Sequence, residues 1–355
     1  MKLRLLISGS KRNTNTVSMF ICRNFDATIE FEELSFHDKF SWLLEPSWQR
    51  LIYRFFPGIL TSKMDRLFVD QVKKFKPQVV VVFKGSEISK RSLIEIRKLD
   101  VKLVNYNFDH PFVHFSKGTG NKFVTEAIPY YDLHISYSSL IADQLTKRYR
   151  VPTAVIPFGF HLTDVEYSKV IHEGQQEIKE VCFVGNPDSI RIELIQKLIK
   201  ESVPVNVYGF GWEHYLKLSE LLTVHKPRKP VSFWKDPLEF WKTLRRYRVQ
   251  LNFFRPHNEG SHNLRTFEVP SVGGVLLTPD SDEQRFFFDD ESEIFYYTDA
   301  ESLIRQCKRL LAMNENEINV IRENTRLRSI QQDYSYKRRT SDLITLLNEL
   351  VSNHP

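Results

Sequence analysis

The run Val79-Val80-Val81-Val82-Phe83, bounded by Pro77 and Gly85, constrains this chain most. Five consecutive apolar residues, four of them β-branched, leave no polar face to turn to water. Such a run predicts a strand covered on both sides, and strands so covered belong to parallel sheets whose crossover helices lie on both faces. The first half repeats the pattern. Leu3–Ser8 is a short strand closed by Gly9, a helical stretch over 86–99 precedes strand Lys102–Tyr106, and strand Leu133–Tyr137 precedes a helix over 138–148. Ala154–Pro157 closes the half. A fresh strand, Val181–Gly185, opens a second series: helix 189–200, strand 203–208, helix 237–247, strand 249–254, helix 263–271 and strand 274–278. Helices follow over 301–313, 315–332 and 337–351. The alternation predicts an α/β chain, and 355 residues suit two domains. The division is expected near 160–178, where Thr163–Lys179 is polar and contains Gly174.

Composition excludes several classes. With 41% hydrophobic and 26% charged residues the chain has material for ordinary cores. Mean hydropathy is −0.35 and no apolar run reaches 18 residues, so no membrane span is expected. The start, MKLRLLISGSKRN, has too short an apolar core for a secretory signal and no small-residue cleavage site. Cys22, Cys182 and Cys307 lie far apart without a CxxC pair, as suits reduced thiols in a cytoplasmic protein. Residues 1–160 carry 24 Lys+Arg against 15 Asp+Glu, and the remainder 26 against 29. A basic first half suits either a solvated surface or an anionic partner: lipid at the inner membrane face, a phosphorylated acceptor, or nucleic acid. Its basic residues are scattered, with no basic helix and no RNP-like strand, which counts against nucleic acid. The segment over 36–76 leaves two readings open. Either it forms amphipathic helices packed on the sheet, or Trp42, Trp48, Phe55 and Phe56 among Arg50, Arg54 and Lys63 touch membrane or a lipid-linked acceptor.

Ligands of such sheets bind beyond the carboxyl ends of the strands. Gly185-Asn186-Pro187-Asp188-Ser189, Gly209-Phe210-Gly211 and Gly260-Ser261-His262-Asn263 lie there, and their backbone N–H groups suit phosphate oxygens. No Walker loop occurs, no GxGxxG follows the first strand and no G-x-S-x-G elbow is present. Asp280-Ser281-Asp282 reads as a solvated loop, and no histidines show ligand spacing, so no metal site is expected. Arg265 and Glu268, three apart on one helix, share a face. The carboxylate could accept from a ribose diol and the guanidinium could pair with a diphosphate, or the two could form an ordinary surface ion pair.

The stretch from Leu251 to Thr278 resembles the donor-binding signature of GT-B glycosyltransferases, in the branch typified by the spore maturation protein CgeB. Asn263-Leu264-Arg265-Thr266-Phe267-Glu268 matches its Asn-x-Arg-x-Phe-Glu helix, and Gly273-Gly274 its turn five residues after the glutamate. Val184-Gly185 followed by Arg191, the exit Ile156-Pro157-Phe158-Gly159, and Glu293–Tyr297 followed by Asp299 add to it. The resemblance covers 180–310 well and 100–160 loosely; the first hundred residues show only a compatible pattern.

The resemblance implies two Rossmann-like domains facing each other across a cleft. The acceptor-side domain would span 1–162, the nucleotide-sugar domain 163–335, and a helix over 336–355 would cross back to the first. It implies transfer of a sugar from a nucleotide-diphosphate donor to a hydroxyl of a glycan, lipid-linked or protein acceptor, of retaining type, with no cofactor and no essential metal. The implied donor-binding residues are Glu268, Arg265, Asn263, His262, Ser261, Arg191, Gly185, Asn186 and Gly209. Asp109 or His110, in Asn107-Phe108-Asp109-His110-Pro111, would position or deprotonate the acceptor hydroxyl, and Ser8, Gly9 and Ser10 would line the acceptor side. Tyr208, Phe210, Trp212 and Phe233-Trp234 are candidates to flank the base. One departure stands out. The retaining superfamily carries two glutamates eight apart; Glu268 fits the second, but Gly260 occupies the place of the first. A nucleotide-sugar-binding pseudoenzyme is therefore the alternative.

Overall fold

A computed structural model describes residues 2–8, 17–36, 57–113, 122–173, 176–216, 219–225 and 237–352. Gly9, Ser10, Trp42, Trp48, Arg50, Arg54, Phe55, Phe56 and Phe233-Trp234 lie outside the described residues. The chain divides into two units, Met1–Phe158 with Tyr336–Pro355, and Gly159–Ser335.

In the first unit the order is β1 (Leu3–Ser8), α1 (Val17–Arg23), β2 (Ile29–Leu34), α2 (Pro57–Phe75), β3 (Val79–Phe83), α3 (Lys90–Arg97), β4 (Lys102–Asn107), α4 (Lys122–Ala127), β5 (Leu133–Ser136), α5 (Ser139–Tyr149) and β6 (Thr153–Val155). These strands form one parallel sheet in the order β2-β1-β3-β4-β5-β6. As the apolar run demands, β3 is central and every one of its residues is at most 1% exposed. Val80 and Val82 pack with Leu6 and Leu103 against Phe68 and Val72 of α2 and Leu93 and Ile96 of α3. Strand β2 was not apparent from sequence. It lies at the sheet edge and carries Glu30, Glu32 and Glu33, charges that an edge tolerates and a central strand would not.

The second unit runs α6 (Asp164–His172), β7 (Ile178–Val184), α7 (Ser189–Lys200), β8 (Val205–Tyr208), β9 (Leu222–His225), α8 (Pro237–Arg246), β10 (Tyr247–Leu251), α9 (Arg265–Ser271), β11 (Leu276–Pro279), α10 (Asp282–Phe287), β12 (Phe295–Tyr297), α11 (Ala300–Ala312) and α12 (Glu315–Gln331). Its sheet is again parallel, ordered β12-β11-β10-β7-β8-β9. Counted within the unit this is the 3-2-1-4-5-6 order of Rossmann folds, and the order reverses between β7 and β10. On one face Val181, Phe183, Val249 and Leu251 pack with Ile195 and Leu198 of α7 and Leu303 and Leu310 of α11. The last helix, α13 (Tyr336–Ser352), belongs to the first unit. Arg339 Nε donates to the Phe158 carbonyl at 3.2 Å, and the Tyr336 ring stacks on Phe20 of α1 at 5.2 Å.

Both units are therefore Rossmann-like, as the alternation of strands and helices led us to expect. Among the described residues no helix is long and apolar enough to cross a membrane. All three cysteines are free and buried.

Burial also sets an acid limit on the first unit. His134 in β5 is 2% exposed, its Nε2 lies 2.8 Å from the Ile128 carbonyl oxygen, and burial pushes its pKa down to about 4. The unfolded chain, with an ordinary histidine, binds more protons between pH 6.5 and 4, so stability falls as pH drops through that window. The slope contributed is at most about 1.4 kcal/mol per pH unit. His134→Gln should flatten the acid limb of a urea-denaturation series run from pH 7 to pH 4; an unchanged limb would place the acid sensitivity elsewhere.

Candidate functional site

The reversal of strand order between β7 and β10 leaves a crevice at their carboxyl ends, because the following connections leave toward opposite faces of the sheet. From β7 the chain enters Gly185-Asn186-Pro187-Asp188 and then α7. Gly185 donates its N–H to the Tyr208 carbonyl at 2.7 Å and accepts from Trp212 Nε1 at 2.8 Å. The Asn186 side chain accepts from the Phe210 N–H at 2.9 Å, and Asp188 caps α7 by accepting from the Arg191 N–H at 3.1 Å. The N–H groups of Gly185, Phe210 and Arg191 thus have partners already, and the positive charge at this edge comes from side chains.

From β10 the chain passes through Asn252 and Phe253 to a loop ending at α9. Asn252 and Asn263 exchange reciprocal side-chain bonds of 2.8 and 3.1 Å, and Asn252 also donates to Thr278 Oγ1 at 3.0 Å. Asn263 Oδ1 then accepts from the Arg265 N–H at 3.0 Å, fixing the start of α9. Ser261 and His262 are buried, and both side chains turn inward to Glu283, His262 Nδ1 at 2.9 Å. The Ser261 backbone is engaged as well, its N–H donating to the Asn258 carbonyl at 3.0 Å and its carbonyl accepting from the Ser281 hydroxyl. Gly260 sits at φ +74, a left-handed position where a glutamate would be strained.

Three guanidinium groups converge on this edge. Arg265 pairs with Glu268 on α9, donates to the Val184 carbonyl at 3.2 Å and lies 5.0 Å over the Phe240 ring. Its Nε–H is buried with no acceptor among the described residues. Arg191 donates to the Asn186 carbonyl at 3.0 Å, lies 5.2 Å over the Phe183 ring and approaches Asp188 at 3.3 Å. Arg255 meets the same carboxylate at 3.3 Å. Burial is the main reason that the pKa of Arg191 falls to about 10; Asp188 opposes the fall, and Arg255 and Arg265 add to it. Among the described residues Asp188 and Glu268 are the carboxylates seen paired with these three guanidiniums, and an incoming anion would ease the repulsion between Arg191 and its neighbours. Arg255 was not apparent from sequence, because its partner stands 67 residues earlier in the chain. Of the aromatic candidates, Trp212 and Tyr208 are core residues at 0% and 4% exposure, whereas Phe210 is exposed.

In the first unit, Ser8 ends β1 with its hydroxyl buried and without a hydrogen-bond partner among the described residues. Lys84 follows β3 at φ +64 and pairs with Asp109, which follows β4. A lysine in left-handed backbone is strained, and such strain gathers at functional positions. Lys84 could have been found from sequence, since it directly follows the clearest strand. His110 Nδ1 accepts from the Phe112 N–H at 3.2 Å, an assignment that puts the ring proton on Nε2 and makes His110 a donor there. Among the described residues no three His, Cys, Asp or Glu side chains cluster as metal ligands would.

Residues 191–345 match the model of a family described as glycosyl transferase-like. No curated protein matches the sequence. Among solved structures the chain is similar to a sucrose-phosphate synthase from Thermosynechococcus elongatus, at TM-score 0.68 and 11% identity over 99% of this chain and 100% of that one. It is also similar to a glycosyltransferase from Rickettsia africae, at TM-score 0.65 and 11% identity over 99% and 100%. A UDP-GlcNAc 2-epimerase from Neisseria meningitidis, solved with UDP-GlcNAc bound, aligns at TM-score 0.56 and 11% identity over 98% and 100%. The fold is accordingly of the GT-B type.

Proposed function

We propose that this chain is a glycosyltransferase that binds a nucleoside-diphosphate sugar at the β7/β10 crevice and passes the sugar to a hydroxyl acceptor. The observation that carries the reading is the arginine triad Arg191, Arg255 and Arg265 at a Rossmann switch point, with Glu268 beside it. The family match across 191–345 supports transfer rather than binding alone. A UDP-linked donor is the first to test, since a neighbour spanning the whole chain was solved with UDP-GlcNAc.

In this reading the bond between the anomeric carbon and the diphosphate oxygen breaks, and its electron pair leaves with the diphosphate. The arginines stabilise the charge that develops there, with no metal required. Glu268 accepts from the ribose hydroxyls while holding Arg265 in place. The acceptor oxygen bonds the anomeric carbon, and its proton passes to a base. Asp109, held in place by its ion pair with Lys84, is assigned that task, while His110 donates a hydrogen bond from Nε2. Retention of configuration belongs to the proposal, with the acceptor oxygen arriving on the face of the sugar from which the diphosphate departs, as does a cytoplasmic setting in which the basic first half meets a lipid-linked acceptor at an anionic membrane face. Gly260 favours one second reading, a nucleotide-sugar-binding module without turnover.

Thermal denaturation with UDP, GDP, ADP, CMP and TDP, with and without EDTA, tests the first step. One nucleotide should raise the melting temperature selectively and equally in EDTA; at a hundredfold excess over Kd the gain is about 2.7 kcal/mol. No stabilisation by any of the five would sink donor binding. With binding in hand, release of free nucleotide from the matching sugar donor separates the enzyme from the binding module.

A further inference from the structure

We propose that a cavity at the opposite, amino edge of the second sheet is a separate anion site, built for the phosphoryl group of a small phosphorylated molecule. The cavity, about 510 Å³, opens between α6, α8, α12 and the start of β7. That volume is in the range of small-ligand sites. Lys179, Lys242, Arg245, Arg246 and Arg322 line it, against only Glu177 and Glu315.

Among the described residues the carboxylates answer this charge only in part: Lys242 pairs with Glu173 at 2.5 Å and Glu239 at 3.3 Å, but the arginines are less well matched. Glu177 pairs with Arg322 at 2.9 Å but also takes the fully buried Arg248, so one carboxylate serves two guanidiniums. Arg245 spends its bonds on neutral carbonyls, those of Val272 at 3.0 Å and Gly273 at 3.2 Å. Arg246 donates to the Tyr208 hydroxyl. The Arg322 Nε–H is buried without an acceptor among the described residues. Burial first, and then the like charges of Arg245 and Arg248 against the pull of Glu177, bring the pKa of Arg322 down to about 10. Cations crowded in this way gain from an anion between them.

The cluster is also prearranged. The side chains of Lys242 and Arg322 are each 11% exposed, so the cost of ordering and dehydrating them falls on folding and not on binding. Val170 and Ile171 supply an apolar wall for the carbon part of the occupant. The site lies at the strand ends opposite the arginine triad, and it stands whatever reaction the carboxyl edge performs.

Inorganic pyrophosphate is the probe, titrated by calorimetry into Arg265→Gln protein so that the carboxyl-edge site is weakened. One saturable equivalent should remain. Adding Lys179→Glu should lower its affinity at least about tenfold, and Lys179→Gln by less, because Lys179 is exposed at the mouth and its charge acts without a packing role. Unchanged melting temperatures certify that these variants fold. Absence of saturable uptake by the Arg265→Gln protein, or uptake indifferent to Lys179→Glu, overturns the proposal.

Discussion

Glu268→Ala should raise the dissociation constant for the preferred nucleoside diphosphate about ten- to a hundredfold, the loss of one or two hydrogen bonds to a charged acceptor. Two effects of the change oppose each other. Removing the carboxylate deletes the ribose contacts, but it also leaves Arg265 without its counter-charge, which strengthens the pull on a diphosphate. The ribose loss should win for the nucleotide, since the added charge sits at a partly solvated edge where Coulomb energies are modest. For inorganic pyrophosphate, which has no ribose, the sign should reverse. The ratio of the two affinities is the measurement, taken by calorimetry in a Lys179→Glu background so that the weakened amino-edge cavity is separated from the carboxyl-edge site by its lower affinity. If both ligands weaken equally, Glu268 acts only by aiming Arg265, and the ribose role is lost. His110→Ala should leave nucleotide affinity alone and reduce turnover. Equal losses of nucleotide affinity in Glu268→Ala and His110→Ala would contradict the assignment of donor and acceptor roles to the two residues.

What could be read from sequence follows burial closely. Strand β3 was legible because both its faces are covered, so its composition has one interpretation. Strands β2 and β9 were not, because edge strands are half exposed and their residues, IEFEEL and LTVH, answer to water as much as to a core. The polar stretch after Thr163 holds a helix, α6, opened by a reciprocal capping box between Thr163 and Glu166. That T-x-x-E signature stands in the sequence, but the polarity around it reads equally well as a domain boundary. Strand β10 begins two residues earlier than expected, directly after α8, since no glycine or proline marks the junction at Arg246 and Tyr247. The site divides in the same manner. Arg265, Glu268 and Asn263 sit at short spacings that a motif can carry. Arg255 and Lys84 gain their meaning from carboxylates at Asp188 and Asp109, and such pairings exist only once the strands are assembled.

Gly209→Ala should destabilise the second unit by more than about 3 kcal/mol, at or beyond the upper end of ordinary overpacking. A Cβ at this position would stand 2.2 Å from the Gly185 carbonyl oxygen and 2.8 Å from its carbon. Both are backbone atoms, in the segment that leaves β7 for the crevice, and no side-chain rotation can relieve the overlap. The Trp212 indole that donates to the same carbonyl closes the third side at 2.9 Å. Relief would require β7 and β8 to separate at their carboxyl ends, which breaks the Gly185 N–H bond to Tyr208 and displaces Asn186 and Asp188 with it. Nucleotide affinity should therefore fall along with stability. Gly211 supplies the control. It lies two residues on at φ +92, where an alanine is strained by about 1 kcal/mol, yet its Cβ would meet nothing nearer than 3.7 Å. Urea denaturation of the two alanine variants separates steric contact from backbone strain. A Gly209→Ala loss no larger than that of Gly211→Ala would mean that β7 and β8 do not approach this closely. The glycine after β8 would then have no packing reason to be there.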